Sequence, residues 1–302
     1  MSEIINREHK DRLFAFIFGR EENRSWTLSL YNAMNGTHYT DESDIEITTM
    51  SDAVYMGMKN DVSFIIYDMI SLYEQQSTYN PNMPVRQLMY LGRSYDKYIK
   101  RTSQNIYGNK LMTLPIPRLV TFYNGKDNIP DHILNLSDSF PKGTDPDISD
   151  VQVRVKLINI NPGRNKELLE NCKPLEEYSW FVARVRNKKD EGKMSLEEAV
   201  DGTLDEMPAD FFIRDFLISN RAEVKNMCLT EYNEAETMQM FKEEGIEEGL
   251  IKGREEGRKE GREEGRITEL AALVNDGVIT EQEAAGRMNM SVEEFREYAE
   301  SI

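Results

Sequence analysis

KNDVSFIIYDMISLYEQQST, residues 59–78, is the stretch on which the reading of this chain turns. Val, Ile, Phe and Tyr crowd the segments 61–67 and 69–76, the composition of two adjacent strands. A tight antiparallel turn at Tyr67-Asp68 pairs positions whose numbers sum to 135. Ser63 then faces Leu72, Ile65 faces Ile70, and Asp61 faces Glu74. Side chains alternate along a strand, so Gln76 shares the face of Glu74 while Gln75 points the other way. Carboxylates directly opposite one another have Cβ atoms roughly 5 Å apart and destabilise a sheet. A divalent cation between them reverses the sign, and hard oxygen ligands suit Mg2+ or Mn2+. The same two acids also read as solvated strand ends, and the spacing alone leaves both readings open.

Working outward, residues 8–34 carry Leu13, Phe14, Ile17 and Phe18 at helical spacing. NGTHYTDESD (35–44) is turn chemistry, and residues 44–50 suit a first strand. PNMP (81–84) opens a helix running to about Arg101, PIPRLVTFYNG (115–125) is a buried strand ended by Asn-Gly, and residues 151–160 alternate as another strand. From Pro174 to about Phe241 the pattern is helical in several pieces. The order helix, three strands, helix, strand predicts an α/β fold with a mixed sheet.

The tail differs in kind. Gly245, Gly249, Gly253, Gly257, Gly261 and Gly265 recur every fourth residue among Glu, Lys and Arg. Each glycine costs a helix roughly 1 kcal/mol relative to alanine, and a four-residue period drifts in the right-handed sense. The segment reads either as a self-association stalk or as a flexible charged linker. Thr280–Glu283 and Ser291–Glu294 are capping-box patterns that mark two short helices, with Asn275-Asp276-Gly277 as the stop before them. The expected organisation is a main domain over 1–240, the glycine repeat over 241–266 and a small helical module over 267–302.

The 302 residues carry a net charge of −17, about half of that excess lying after residue 240. Such a balance argues against a simple nucleic-acid binder for the whole chain, but not against local basic surfaces. Arg86, Arg93, Lys97 and Lys100 fall on one face of the helix after PNMP, next to the acidic strand, as a phosphate-tracking stripe or as an ordinary solvated face. RVRNKK (184–189) has the same two readings. Residues 279–300 have helix–turn–helix spacing, but from Arg266 onward three basic residues stand against eight acidic ones, which disfavours phosphate binding there. Oligomerisation or regulation suits that region better. His9, His38 and His132 have no ligand spacing, and Cys172 and Cys228 form no CxxC pattern. The opening MSEIINREHKDRL lacks the apolar run of a signal peptide, and no apolar stretch approaches the roughly 20 residues of a membrane span, so a cytoplasmic protein without membrane contact is expected.

A carboxylate, a short hairpin and then Glu-x-Gln on the next strand resemble the PD-(D/E)XK nuclease motif, and more narrowly the recombination-promoting nuclease and transposase-like (Rpn) family. The likeness rests on KDRLFAFIFG (10–19), SLYNAMNGTHYTD (29–41), MGMKNDVSF (56–64), LYEQQSTYNPNMPVRQLMY (72–90), PRLVTFYNG (117–125) and NKELLENCKPLEEYSWFV (165–182). It implies a restriction-endonuclease-like core, a mixed β-sheet flanked by helices, with a helical C-terminal extension. It further implies a DNA endonuclease, acting in recombination, mobile-element biology or phage defence, that uses Mg2+ or Mn2+. By resemblance Asp61, Glu74 and Gln76 form the catalytic set, with Asp61, Glu74 and the Gln75 main-chain carbonyl as metal ligands. Asp11 matches a further acidic position, a ligand directly or through water, or else a surface helix carboxylate. Gln76 stands where the wider superfamily has lysine; a neutral amide orients water but supplies no positive charge. Some relatives use the C-terminal region as a separate inhibitory module. The alternative is a non-catalytic nucleic-acid-binding or assembly protein that keeps the fold.

Overall fold

A computed structural model describes residues 12–48, 62–192 and 194–301. The chain divides into two units, Met1–Glu236 and Thr237–Ile302, close to the boundary that charge and glycine spacing place near residue 240.

The first unit opens with α1 (Leu13–Phe18) and α2 (Arg24–Asn35), not the single helix expected over 8–34. Side chains accept the cost of the break: Asn23 Nδ2 donates to the Ile17 carbonyl (3.0 Å) and Thr27 Oγ1 to that of Phe18 (2.6 Å). These bonds satisfy carbonyls that a continuous helix would have used. Then follow β1 (Ile45–Ile47), β2 (Val62–Ile66), β3 (Met69–Gln76), α3 (Met83–Arg101), β4 (Ile116–Tyr123), β5 (His132–Asn135) and β6 (Arg154–Asn159). Among the described residues they build a mixed sheet in the order β1-β2-β3-β4-β6-β5. β1, β2 and β3 pair antiparallel, β3, β4 and β6 parallel, and β5 runs antiparallel on β6. β5 escapes the sequence reading because four residues after Pro130 are too few to show a period. Helices α4 (Lys166–Asn171), α5 (Lys173–Gly192), α6 (Leu196–Glu206), α7 (Arg214–Ser219) and α8 (Arg221–Asn275) follow.

Alternation along the strands divides the core. Val62, Phe64, Ile66, Tyr73, Val120 and Phe122 pack with α1, α2 and α5 through Phe14, Tyr31 and Tyr178. The opposite face turns Ile65, Ile70 and Leu72 toward Tyr90 of α3, and Tyr123, Val155 and Leu157 toward Met83 at its start. Asn82 precedes the helix and Pro84 lies in its first turn, where a missing N–H costs nothing. The sheet is therefore covered on both faces, and α3 lies over the polar end of β3.

The second unit packs Ile267 and Leu270 of α8 against Ala284 and Ala285 of α9 (Glu281–Met288) and Phe295 of α10 (Val292–Ser301). The glycine repeat is helical here, and open space surrounds the position of a Cβ at each repeat glycine. Both expected capping boxes form: the Thr280 and Ser291 main-chain N–H groups donate to Glu283 (2.9 Å) and Glu294 (2.8 Å). Those bonds hold both carboxyls below their ordinary value of 4.5. A depressed folded-state pKa stabilises above the unfolded value, and the contribution disappears as pH falls through the folded one. Acidification from pH 5 downward is thus expected to weaken amide-exchange protection over 280–300 before the first unit melts, with Glu283→Gln/Glu294→Gln flattening that response.

Candidate active site

The hairpin register is the one the spacing predicts. Val62 pairs with Tyr73, Ser63 with Leu72 and Ile65 with Ile70 across a turn at Tyr67-Asp68. Position 61 precedes the first of these pairs; Asp61, like Asp11, lies outside the described residues. Along β3, Glu74 is 0% exposed, Gln75 2% and Gln76 6%. Three consecutive polar side chains in a sheet interior cost several kcal/mol unless each is compensated, so their partners decide what the segment can do.

Glu74 and Gln76 face α3. Arg86, one turn into that helix, donates from Nη2 to Glu74 Oε1 and to the Tyr90 hydroxyl (3.1 Å). Burial works to discharge this guanidinium and is the largest single influence on it, but the Glu74 carboxylate and the Tyr90 hydroxyl together outweigh it, and the Arg86 pKa is raised. Arg86 was expected on the phosphate-tracking stripe of α3; its side chain instead turns inward onto the acid. Met83, Arg86, Gln87 and Tyr90 have the i, i+3, i+4, i+7 spacing of a buried face, so the sequence held the signal for this placement. Of the stripe, Lys97 and Lys100 stay exposed, Lys100 paired with Asp96 (2.7 Å), and Arg93 is half-buried. The RVRNKK run does not form a free basic patch either. Arg184 and Lys188 both pair with Glu206 (2.9 and 2.6 Å).

Around Glu74 the polar layer is incompletely satisfied. Gln76 Nε2 donates to Met83 Sδ (2.7 Å). Gln76 Oε1, the Thr121 hydroxyl and Gln87 Oε1 are buried with no hydrogen-bond partner among the described residues. Thr121 is the β4 neighbour of Glu74, and Gln87 reaches the Val120 carbonyl (3.4 Å) from α3. Each unsatisfied group costs about 1–3 kcal/mol; a fold tolerates a cluster of them where a ligand or ordered water completes the set.

Gln75 anchors the other face. Its side-chain amide bonds that of Asn124 (2.7 Å), which reaches the Tyr178 hydroxyl (3.4 Å). Its main-chain carbonyl accepts from Arg12 Nη1 (3.1 Å). Arg12 and Arg86 are close enough for the charge of one to oppose that of the other. Arg186, its pKa lowered by burial, donates to the Asn124 carbonyl and to that of Gly125 (3.4 Å). A Cβ at Gly125 would lie 2.2 Å from the Ser77 carbonyl oxygen, so the chain after β4 can cross beside the end of β3 only as glycine. Arg12 and Asn124 were not singled out as site residues by sequence, because their partners lie far away in the chain, and Arg186 was read only as part of the RVRNKK run, not as a donor to main-chain carbonyls.

Glu74 and the Gln75 carbonyl are hard oxygen donors of the kind Mg2+ and Mn2+ prefer, so the donor chemistry fits such an ion. Among the described residues alone no group of three or more His, Cys, Asp or Glu could hold a metal. Among them, too, no helix is long and apolar enough to cross a membrane. No family model matches the chain, nor does any curated protein or solved structure.

Proposed function

We propose that the chain is a metal-dependent DNA endonuclease of the PD-(D/E)XK type that hydrolyses phosphodiester bonds. The observation that carries this reading is Glu74, a fully buried carboxylate in a hairpin whose described pairs, Val62 with Tyr73 inward, have the register the spacing predicts. Gln76 stands on the same face, and around both lie buried polar groups with no hydrogen-bond partner among the described residues. In this proposal Asp61, Glu74 and the Gln75 carbonyl hold a Mg2+ or Mn2+ ion, with Asp11 as a further acidic position. When bound, that ion supplies Lewis acidity at the phosphoryl oxygen and lowers the pKa of water. The protein's own part is positional. The Gln75–Asn124–Tyr178 contacts fix the strand from behind, which aims the carbonyl. The Gln76 amide is placed to orient a water, and the α3 cover keeps bulk solvent off the acid. Lys97 and Lys100 extend a basic path away from the site for the DNA backbone. The C-terminal unit serves self-association or regulation in this proposal.

The test is nicking of supercoiled plasmid with Mg2+ and with Mn2+, alongside single-stranded RNA, by wild type and Asp61→Ala. Metal-dependent nicking of DNA is expected from wild type and none from the variant. Folded wild-type protein inactive with both ions would favour the second reading, a binding or assembly protein of the same fold. One contact speaks for that second reading: Arg86 forms an ion pair with Glu74.

A further inference from the structure

We infer that Arg86 supplies, at the scissile phosphate, the positive charge that Gln76 cannot. This rests on the nuclease reading above and assigns a role that the motif leaves vacant. A lysine two residues after the acid would normally offset charge on the phosphate; here the position holds a neutral amide, so a cation must come from another element. α3 brings one. Arg86 sits one turn into the helix that follows the strand and touches the very carboxylate that defines the site. Among the described residues its guanidinium bonds through Nη2 alone, to Glu74 and Tyr90. Nε and Nη1 donate to no described residue, and 25% of the side chain remains accessible. A guanidinium presents its donors as a planar fork that matches two phosphate oxygens. With one amine fixed by Glu74 and Tyr90, the remaining edge is already oriented, and little side-chain freedom is lost when phosphate arrives. The same pairing keeps the arginine at the acid before substrate binds. On this inference Arg86 is a catalytic residue, and the basic stripe of α3 begins inside the site.

The experiment separates phosphate contact from support of Glu74. Binding of a short duplex is measured with Ca2+ across a range of salt concentrations, and plasmid nicking with Mg2+, for wild type, Arg86→Lys, Arg86→Met and Gln76→Lys/Arg86→Met, each checked for native circular dichroism. Loss of one phosphate contact lowers the slope of log affinity against log salt by about one. That decrease is expected for Arg86→Met and not for Arg86→Lys. Nicking by Arg86→Met is expected to fall by about 100-fold or more, and Gln76→Lys in the same background to recover at least tenfold of it, because lysine then stands at the vacant position. An unchanged salt slope in Arg86→Met, or nicking within threefold of wild type, overturns the inference while leaving the nuclease reading intact. Wild type that binds DNA with an Arg86-dependent slope yet never nicks overturns the nuclease reading and leaves the phosphate contact standing. Absence of DNA binding by folded wild type overturns both.

Discussion

If the proposed nuclease reading holds, Glu74→Gln is expected to abolish metal-dependent nicking while the protein stays folded. The substitution keeps the shape of the side chain and an oxygen that can accept from Arg86, but removes the charge that pairs with the guanidinium and, on that reading, with a divalent ion. Losing an outer-shell partner of a metal ligand costs about 10–100-fold in affinity or activity; losing the ligand itself should exceed that. Stability is expected to fall by about 1–3 kcal/mol, because Arg86 loses the carboxylate that raises its pKa against the effect of burial. That the arginine is 25% exposed keeps the penalty below that of a sealed ion pair. Glu74→Gln/Arg86→Met should recover most of the stability and none of the nicking. Nicking at the wild-type rate by Glu74→Gln would remove this acid from the chemistry altogether.

Phe122→Ala is expected to have the largest effect on stability. The ring is 0% exposed, 5.5 Å from Phe14 and 5.4 Å from Tyr73 between ring centroids. Its removal leaves a cavity bounded by a strand and helices that cannot all close in, which costs roughly 3–5 kcal/mol. For a unit of this size that corresponds to a fall in Tm of roughly 10 °C, read by calorimetry or near-ultraviolet circular dichroism. The ring points away from Glu74, so nicking well below the new transition should survive. A shift under about 2 °C would mean that the aromatic layer is much looser than its ring contacts imply.

The hairpin was legible in the sequence because alternation and a two-residue turn specify pairing locally: the segment from Val62 to Tyr73 carries its own register. The start of α3 and both C-terminal capping boxes were legible for the same reason, since Pro84, Thr280 and Ser291 act on their immediate neighbours. The break between α1 and α2 was not, because Asn23 and Thr27 satisfy carbonyls through bonds that no hydrophobic period reveals. In the site, the acid and amides on β3 could be named, but their partners could not. Arg86 carries two spacings at once, one shared with the exposed lysines and one with Met83 and Tyr90. Only packing decides between them. The clamp of Arg186 on the Asn124 carbonyl involves an atom every residue possesses, so composition carries no trace of it.

The alternation along β3 ties folding fidelity to chemistry. A single residue inserted between Tyr67 and Asp68, if absorbed by sliding one strand past the other, would exchange the two surfaces of β3. Glu74 would then enter the layer of Phe14, Phe64 and Phe122, and Tyr73 would turn toward Arg86. Such a slip would bury a charge in hydrocarbon and so would not persist. The greasy layer thus proofreads the acid's position: any chain that folds with these strands in this register has the Glu74 carboxylate on the α3 side.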